Sequence, residues 1–377
     1  MISGGGTGGH VYPALAVVEA LFANSQSPIA DRQSPDDTRY AICYIGSEGG
    51  VEQELVARAG LPFEAIPSGG LHGLAPWVVA RNILRLARGF LRVWKLAAEW
   101  KPEVLFVTGG FVSAPVALAC WLRRVPILVY LPDIEPGWAI QFLSRLATRI
   151  AVTAEASRKL LPARKVVVTG YPVRQEVLKA RGAKSEALAH FGLDASLKTI
   201  LFAGGSKGAQ TLNRPFSKML DQVLSRWQVI HLSGKTDVDE MRVRREQLSD
   251  ELKARYKLFA YLHSEEMGLA LAAADVVVSR AGASILGEFP LMGLPAILAP
   301  YQFAWRYQKV NADYLAEQGA AVRLDAETLD QTLWPALEGL LGDEARWTAM
   351  QERARALARP DAAANLAAQL RALAGAV

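Results

Sequence analysis

Short apolar runs alternate with longer amphipathic stretches along most of the chain. The runs are rich in Val, Ile and Leu and end in Gly, Ser or Pro. Apolar runs separated by helical patterns are typical of buried parallel strands in βαβ units, which bind ligands at the carboxyl ends of the strands. The sequence therefore predicts an α/β protein. Its runs are YAICYIG, EVLFVTGG, VPILVYLP, RIAVTA and KVVVTG, then KTILFAGG, WQVIHLSG, KLFAYL, DVVVSR and LPAILAP.

The runs fall into two series with a joint between them. The first series ends at KVVVTGYPVR, and the second begins near Lys198. A chain of 377 residues is longer than one core usually supports. We therefore expect residues 1–170 and 171–355 to form two Rossmann-like domains with parallel sheets that face a cleft. Residues 356–377 are expected to form a C-terminal helix that crosses back to the first domain.

Composition and charge narrow the class of protein without identifying it. Hydrophobic residues make up 51% and charged residues 21%, as in soluble globular proteins. The formal net charge of +5 suggests an anionic partner such as nucleic acid, a phosphorylated substrate or an acidic membrane surface. Cys43 and Cys120 lie in apolar runs, which favours buried thiols in a reducing cytosol. Because no signal segment or long apolar run occurs, we expect neither secretion nor a membrane span.

Four glycine-rich turns follow the apolar runs, two in each half. The first places Gly4, Gly6 and Gly9 in a G-x-G-x-x-G arrangement directly before a helix. Glycine permits close backbone approach, and the amino end of a helix attracts phosphate. A lone turn of this kind can also serve packing alone, but two turns in each half predict a diphosphate site. The other three lie at Gly109-Gly110, at Gly204-Gly205 and at Gly282.

The first turn does not fit a dinucleotide fingerprint. An NAD site needs an acidic residue about 20 positions further on, where this chain has Pro28, Ile29 and Ala30. The strand before the turn is also short, because only Met1, Ile2 and Ser3 precede its first glycine. The sequence leaves open whether the native chain starts upstream of Met1.

The last turn opens a helix with polar residues on one face. Ser284 and Glu288 lie four residues apart, and a carboxylate there can accept hydrogen bonds from a ribose diol. Gly282 and Ala283 can lend N–H groups to a diphosphate, and Ser206 adds a hydroxyl at the start of another helix. A solvated helix carboxylate is the alternative interpretation of Glu288.

Five segments occur in a fixed order over nearly the whole chain: GGGTGGHVYPALAV, GGFVSAPVALA, GYPVRQEV, GGSKGAQTLN and SRAGASILGEFPLMGLPAILAPY. Together they resemble the MurG family of inverting GT-B glycosyltransferases. The family moves GlcNAc from UDP-GlcNAc to the 4-hydroxyl of MurNAc on undecaprenyl-diphosphoryl-MurNAc-pentapeptide. This step converts lipid I to lipid II in peptidoglycan synthesis, on which cell shape and division depend.

The resemblance also implies partners and a location. It implies UDP-GlcNAc, a polyprenyl-diphosphate-linked MurNAc-pentapeptide and an anionic membrane surface as partners, and no nucleic acid. No cofactor or metal is expected. The protein would act as a peripheral enzyme on the cytoplasmic face of the cell membrane. The composition of the acceptor peptide and the oligomeric state stay open.

Single positions take roles from the same resemblance. His10 is our choice for the general base, because an ordinary histidine pKa suits neutral pH. A histidine that only binds diphosphate is the alternative. The acceptor side is expected at Gly109, Gly110 and Asp133. The implied donor-binding residues are Thr7, Gly8 and Gly9, Arg174 and Ser206 at the diphosphate, Leu262 at uracil, Ala283, Ser284 and Glu288 at phosphate and ribose, and Gln308 at the GlcNAc hydroxyls.

Two segments depart from the family pattern. Where the family usually has His-Glu-Gln-Asn, this chain has Tyr130, Leu131, Pro132 and Asp133. Asp133 then stands in the place of the family's asparagine. Near the sugar-binding glutamine, Trp305 and Tyr307 replace the usual neighbours. The sequence does not define what the first departure does to the acceptor side.

The stretch WVVARNILRLARGFLRVWKLAAEWKP predicts a helix with a basic face. At about 100° per residue its basic side chains fall in one arc, which suits an anionic lipid surface. An ordinary solvated helix face is the alternative. The membrane face is expected at Trp77, Arg81, Leu84, Arg85, Arg88, Leu91, Arg92 and Lys95. The core-facing stripe is expected at Ile83, Leu86, Phe90, Val93 and Ala97.

Other functions remain to be separated from this one. Asp237 and Asp239 are the obvious carboxylate pair for a metal, but their polar stretch favours an exposed helix start. Another GT-B transferase with a different lipid acceptor and a UDP-GlcNAc 2-epimerase would share the architecture. A non-catalytic nucleotide-sugar-binding protein is the rival from a different class.

Overall fold

Two α/β units make up the protein. The computed structural model describes residues 1–6, 8–22, 41–71, 73–204, 210–301 and 307–375. One compact unit comprises Met1–Pro172 with Asp361–Val377, and the other comprises Val173–Pro360. Each contains one parallel sheet flanked by helices. The predicted class of two Rossmann-like domains with parallel sheets is therefore confirmed.

Seven parallel strands form the sheet of the first unit. They are β1 (Ile2–Gly4), β2 (Tyr44–Ser47), β3 (Phe63–Ile66), β4 (Leu105–Gly109), β5 (Ile127–Leu131), β6 (Arg149–Val152) and β7 (Val166–Val168). Their order in the sheet is β3-β2-β1-β4-β5-β6-β7. The order reverses between β1 and β4, and such a switch point is where open α/β sheets bind ligands.

Helices cover both faces of this sheet. They are α1 (Gly8–Phe22), α2 (Glu52–Arg58), α3 (Pro76–Trp100), α4 (Ser113–Leu122) and α5 (Trp138–Leu146), and the chain's last helix, Ala362–Ala374. Alternate strand residues face opposite layers. Phe106 and Leu128 pack with residues of α1 and of the last helix, whereas Val107 and Val129 pack with residues of α3, α4 and α5.

Six parallel strands form the sheet of the second unit. They are β8 (Thr199–Ala203), β9 (Gln228–Leu232), β10 (Tyr256–Phe259), β11 (Val276–Ser279), β12 (Ala296–Leu298) and β13 (Ala321–Arg323). The sheet order is β10-β9-β8-β11-β12-β13, with its switch point between β8 and β11. Phe202, Val229, Val278 and Ile297 point to one side, where they form a core with side chains of the surrounding helices.

The remaining helices follow the chain through the second unit and back to the first. They are α6 (Gln175–Lys179), α7 (Lys184–Phe191), α8 (Gln210–Lys218), α9 (Leu220–Arg226), α10 (Val238–Glu246), α11 (Asp250–Ala254), α12 (Ser264–Ala273), α13 (Ile285–Met292), α14 (Tyr307–Glu317), α15 (Leu329–Leu341), α16 (Glu344–Ala356) and α17 (Ala362–Ala374). In α17, the guanidinium of Arg371 donates to the carbonyl oxygens of Ala20 and Leu21 in α1.

All ten apolar runs of the sequence contain strands, but the pattern of apolar runs did not predict two edge strands. β3 and β13 each lie at the end of a sheet. An edge strand has one neighbour and needs less apolar sequence. The side chain of Glu64 in β3, for example, is partly exposed. Patterns that depend on burial on both faces therefore overlook such strands.

The predicted core stripe of α3 is partly wrong. Ile83 is 53% exposed, whereas Asn82, Gly89, Val93 and Ala97 are buried. The helix lies so close to the segment after β3 that a Cβ at Gly89 would be 2.5 Å from the carbonyl oxygen of Pro67. The face that meets this segment therefore contains Gly89 in place of Ile83. Within the described residues, no helix is long and apolar enough to cross a membrane.

Candidate active site

Each sheet carries two glycine turns on neighbouring strands at its switch point. In the first unit, Gly4 ends β1 and Gly109 ends β4, and these strands pair with each other. In the second, Gly204 follows β8 and Gly282 follows β11, which also pair. Because parallel strands end at one edge, the two turns of each pair lie side by side. Both pairs of glycine turns therefore lie at the carboxyl ends of the strands beside the switch point, where open α/β sheets bind ligands.

The glycines of the first unit allow close contact between its two turns. Gly109 and Gly110 have φ values of +116° and +86°, which favour glycine. The N–H of Gly5 donates to the carbonyl oxygen of Gly109 (3.3 Å), and a Cβ at Gly110 would lie 2.5 Å from the Gly5 oxygen. A Cβ at Gly109 would be 3.0 Å from the ring of His10. The histidine thus lies against the second turn.

His10 is half-buried in the first turn of α1, and its surroundings act on its pKa in opposite directions. Burial lowers the pKa, whereas the charge of Asp133, a backbone hydrogen bond with Gly5 and the charge of Glu52 raise it. The net direction is downward. The hydroxyl of Thr108 also donates to the carbonyl oxygen of His10 (2.7 Å), which fixes the backbone there.

The segment that departs from the family pattern is well anchored. Thr153 donates its hydroxyl to the carbonyl oxygens of Leu131 (3.2 Å) and Pro132 (2.8 Å), and Ser157 donates to that of Ile134 (2.8 Å). The buried hydroxyl of Tyr130 shares a hydrogen bond with Thr153. These bonds hold Asp133, which is partly exposed, where its charge acts on His10.

In the second unit, the predicted donor residues gather at the start of α13. Ser284 precedes this helix, and the N–H of Glu288 donates to its carbonyl oxygen (2.9 Å). Glu288 is buried and forms an ion pair with Arg174 (3.0 Å). A Cβ at Gly282 would meet no atom within 4 Å, so this turn borders open space. The solvated interpretation of Glu288 is therefore wrong.

Sequence reasoning missed a residue that joins three segments of this unit. Arg280 donates to the carbonyl oxygens of Ala299 (2.8 Å) and Pro300 (3.4 Å), and to the hydroxyl of Thr211. Burial lowers its pKa to about 10. Its place directly before the Gly282 turn was the one available signal. The guanidinium links the end of β12 to the start of α8.

Two further side chains fix the segment that carries Gln308. The N–H of Tyr301 donates to the side-chain oxygen of Gln308 (2.9 Å), and Asn311 donates to the carbonyl oxygen of Ala281 (3.1 Å). Asn311 is fully buried. Leu262, the residue expected at uracil, is buried in the segment between β10 and α12.

Some predicted positions lie outside the described residues. These are Thr7, Gly205, Ser206 and Trp305. Gly8 and Gly9 are described and begin α1, so their backbone forms the amino end of that helix. Helix amino ends attract phosphate.

The carboxylates considered for a metal are not a solvated pair. Asp237 is buried and accepts a hydrogen bond from the amide of Asn213 (2.7 Å), whereas Asp239 is exposed beside Arg242. The predicted exposure of Asp237 is therefore wrong, because the residue is buried and its carboxylate contacts Asn213 of α8. Across the described ranges, no three His, Cys, Asp or Glu side chains are grouped to hold a metal ion.

The outer face of α3 combines exposed apolar residues with paired cations. Trp77, Leu84 and Leu91 are 76%, 62% and 65% exposed and succeed each other every seven residues. Arg85 and Arg92 pair with acidic residues of other segments, Glu48 at 3.3 Å and Glu64 at 3.0 Å. Two of the cations predicted for the membrane face thus have acidic partners in the fold.

Two family models match the chain. The glycosyltransferase family 28 N-terminal domain matches residues 1–152, and the glycosyltransferase family 28 C-terminal domain matches residues 199–366. Their matched ranges contain the glycine turns of the first and second units, respectively.

Curated relatives match over nearly the whole length. A UDP-N-acetylglucosamine–N-acetylmuramyl-(pentapeptide) pyrophosphoryl-undecaprenol N-acetylglucosamine transferase from Roseiflexus sp. (strain RS-1) is 42% identical, over 97% of this chain and 92% of the relative. The enzyme of the same name from Bacillus subtilis (strain 168) is 34% identical, over 97% and 96%.

Solved structures share the fold. The crystal structure of Acinetobacter baumannii MurG has a TM-score of 0.74 at 24% identity and covers 99% of both chains. The crystal structure of a UDP-N-acetylglucosamine 2-epimerase from Listeria monocytogenes has a TM-score of 0.67 at 14% identity, over 100% of this chain and 96% of that one. At these identities the likeness concerns the fold alone.

Proposed function

The chain belongs to the MurG family within glycosyltransferase family 28, and on this premise we propose that it converts lipid I to lipid II. It would transfer GlcNAc from UDP-GlcNAc to the 4-hydroxyl of MurNAc on undecaprenyl-diphosphoryl-MurNAc-pentapeptide. The observation that carries this proposal is the gathering of Arg174, Ser284 and Glu288 at the switch point of the second sheet.

The donor is proposed to bind at the second unit. Glu288 accepts hydrogen bonds from the ribose hydroxyls, and Ala283 and Ser284 present the helix amino end to the diphosphate. Arg174 already lies 3.0 Å from Glu288, so one guanidinium can bridge ribose and phosphate binding. Ser206 and Gln308 add contacts to the diphosphate and the sugar, and Leu262 contacts uracil.

The first unit is proposed to supply the base and the acceptor site. His10 takes the proton of the MurNAc 4-hydroxyl as its oxygen attacks the anomeric carbon and the bond to UDP breaks. The departing diphosphate gains negative charge, which Arg174 and the amino end of α13 stabilise. Attack from the side opposite UDP inverts the anomeric centre. Gly109, Gly110 and Asp133 are proposed to lie on the acceptor side, whereas Thr7, Gly8 and Gly9 approach the donor.

The test is a transfer assay with the purified protein. Radiolabelled UDP-GlcNAc is incubated with polyprenyl-diphosphoryl-MurNAc-pentapeptide, and the lipid and nucleotide products are separated. We expect labelled disaccharide lipid in amounts equal to the UDP released. Formation of UDP-ManNAc from UDP-GlcNAc alone would instead establish an epimerase. Donor binding without consumption would support a non-catalytic protein.

Attachment to an anionic membrane surface is a second part of the proposal. Helix α3 has three exposed apolar side chains, Trp77, Leu84 and Leu91. Arg81 and Arg88 are exposed on the same helix. Apolar residues beside cations are typical of helices that lie in a lipid interface. On this basis the protein would lie peripherally on the cytoplasmic face of the cell membrane.

Neighbouring helices extend this surface. Trp121 at the end of α4 is exposed and borders a cavity of about 520 Å³ that also contains Arg124, Arg145 and Lys165. The cations of the cavity and of α3 would attract acidic headgroups, each contributing about 1 kcal/mol.

Vesicle binding tests the membrane face. We expect Arg81→Glu with Arg88→Glu to weaken binding to vesicles of phosphatidylglycerol and phosphatidylcholine by at least about thirtyfold, because two attractive charges become repulsive. Reversal of Arg242, an exposed residue of the second unit, is the matched control. Unchanged binding of the double variant would discard the membrane face.

A further inference from the structure

Glu52 is a fully buried carboxylate at the start of α2. One of its oxygens accepts the N–H of Ser47 (2.8 Å), and the other accepts the N–H of Gly6 (3.3 Å). It therefore joins the ends of two neighbouring strands, β1 and β2. In the part of the chain that the structure describes, Glu52 forms no ion pair. Because burial of a charge is costly, an acidic side chain in this place needs an explanation.

Three glycines make room for this carboxylate. A Cβ at Gly5 or at Gly50 would come within 2.4 Å of its atoms, and a Cβ at Gly46 within 2.7 Å. None of the three has a positive φ, so their backbone conformation does not require glycine. Space for Glu52 accounts for Gly5 and Gly50, whereas Gly46 makes room for the ring of Phe63 (2.6 Å) as well. The first glycine turn is thus shaped around an internal anion as well as for a ligand.

The same peptide group contacts Glu52 on one side and His10 on the other. Its N–H belongs to Gly6 and donates to Glu52, while its carbonyl belongs to Gly5. The backbone hydrogen bond between Gly5 and His10 raises the histidine pKa, which is the direction expected when a ring N–H donates to a carbonyl oxygen. A carboxylate on the N–H of an amide polarises it and strengthens its carbonyl as an acceptor.

We propose that Glu52 is a positioning residue for His10, because it holds and polarises the Gly5–Gly6 peptide group that receives the imidazole ring. The hydrogen bond to one ring nitrogen sets the tautomer and leaves the other nitrogen to accept a proton. The inference rests on the proposed role of His10 as the base. It adds a fully buried partner from α2.

The charged groups that act on His10 come from two other segments. Asp133 lies between β5 and α5, and Glu52 lies on α2; both raise the pKa of His10, against the effect of burial. Removal of the charge at Glu52 therefore lowers that pKa. The acidic limb of the pH profile of kcat/KM, where the base becomes protonated, is expected to move to lower pH.

The first experiment compares Glu52→Gln with the wild type in the transfer assay. We expect kcat to fall about tenfold, less than the 10²- to 10⁴-fold that a general base contributes. The KM for UDP-GlcNAc stays unchanged, and the acidic limb moves as stated. Glu54→Gln is the matched control, because Glu54 lies on the same helix and pairs with Arg58 at the surface. It should behave as the wild type.

The second experiment needs no substrate. The His10 ring nitrogens of the full chain are followed by NMR against pH, with the signal assigned by its loss in His10→Gln. A lower His10 pKa and a different tautomer population in folded Glu52→Gln support the positioning role of Glu52 even if the transfer assay fails. An unchanged His10 titration and tautomer overturn it, even if transfer is observed.

A second variant covers the case in which Glu52→Gln does not fold. Glu52→Asp keeps the charge but is one methylene too short to reach both N–H groups. If Glu52 positions His10, Glu52→Asp shifts the His10 tautomer population. Relative to Glu52→Gln, it restores the position of the acidic limb more fully than it restores kcat. An unaltered tautomer in this variant overturns the proposal as well.

Discussion

The two units have the same kind of fold, and each contains a buried glutamate near its glycine turns. The two glutamates differ in the groups that bind their carboxylates. Glu52 in the first unit is held by two backbone N–H groups, whereas Glu288 in the second is paired with Arg174. The charge of Glu52, which has no cationic partner among the described residues, raises the pKa of the nearby His10. A carboxylate paired with arginine combines an acceptor for hydroxyls with a donor for phosphate. The same side chain thus suits a base in one unit and a nucleotide sugar in the other.

The largest effect that can break this comparison is expected at His10. We predict that His10→Gln lowers kcat by 10²- to 10⁴-fold, because the proposed proton acceptor is removed. The measurement is steady-state transfer of labelled GlcNAc, with His190→Gln as an exposed control outside the site. A variant with nearly full activity would leave His10 only a binding role.

The ion pair of the second unit is expected to have the next largest effect. Glu288→Leu or Arg174→Met leaves one charge buried without its partner, and each should lower the free energy of unfolding by about 3–5 kcal/mol. The double variant should lose less than the sum of the two single ones. Urea unfolding measures all three. Additive losses would contradict a direct coupling between the two side chains.

Acid sensitivity gives a smaller effect and contrasts two histidines. His231 is buried between Tyr256 (2.6 Å) and Asn213 (3.0 Å), and burial lowers its pKa to about 3. The unfolded chain binds a proton at this residue below pH 6.5, but the folded chain does not. Stability is therefore lost as pH falls from about 6.5 towards 3, by roughly 1.4 kcal/mol per pH unit.

The check is the unfolding free energy of the wild type and of His231→Gln at pH 7 and pH 5. We expect a smaller difference between the two pH values in the variant, with His190→Gln as the exposed control. Equal pH dependence in all three proteins would show that His231 does not titrate in this window.

Local patterns predicted the strands and the glycine turns well, because these depend on residues that are close in sequence. Apolar runs located the buried strands, and the glycines marked the ends of β1, β4, β8 and β11. The sequence also placed Glu288 in a helix after the last turn. These features require only periodicity and the conformational freedom of glycine.

Contacts between distant segments could not be predicted in this way. Glu52 reads locally as a solvated acid at a helix start, and only the approach of the Gly5–Gly6 turn buries it. Arg85 pairs with Glu48, which follows β2, and Arg92 pairs with Glu64 of β3. Their charges are therefore partly neutralised by residues that are distant in the sequence. Burial and pairing of charges depend on the packed fold, which periodicity does not encode.

Donor binding without acceptor tests most directly whether donor recognition belongs to the second unit and the base to the first. Calorimetry with UDP-GlcNAc is carried out on the wild type, His10→Gln and Glu288→Ala. We predict that His10→Gln binds as tightly as the wild type and that Glu288→Ala binds at least about tenfold more weakly, a loss of about 1.4 kcal/mol. Wild-type affinity in Glu288→Ala, or an equal loss in His10→Gln, would contradict this division.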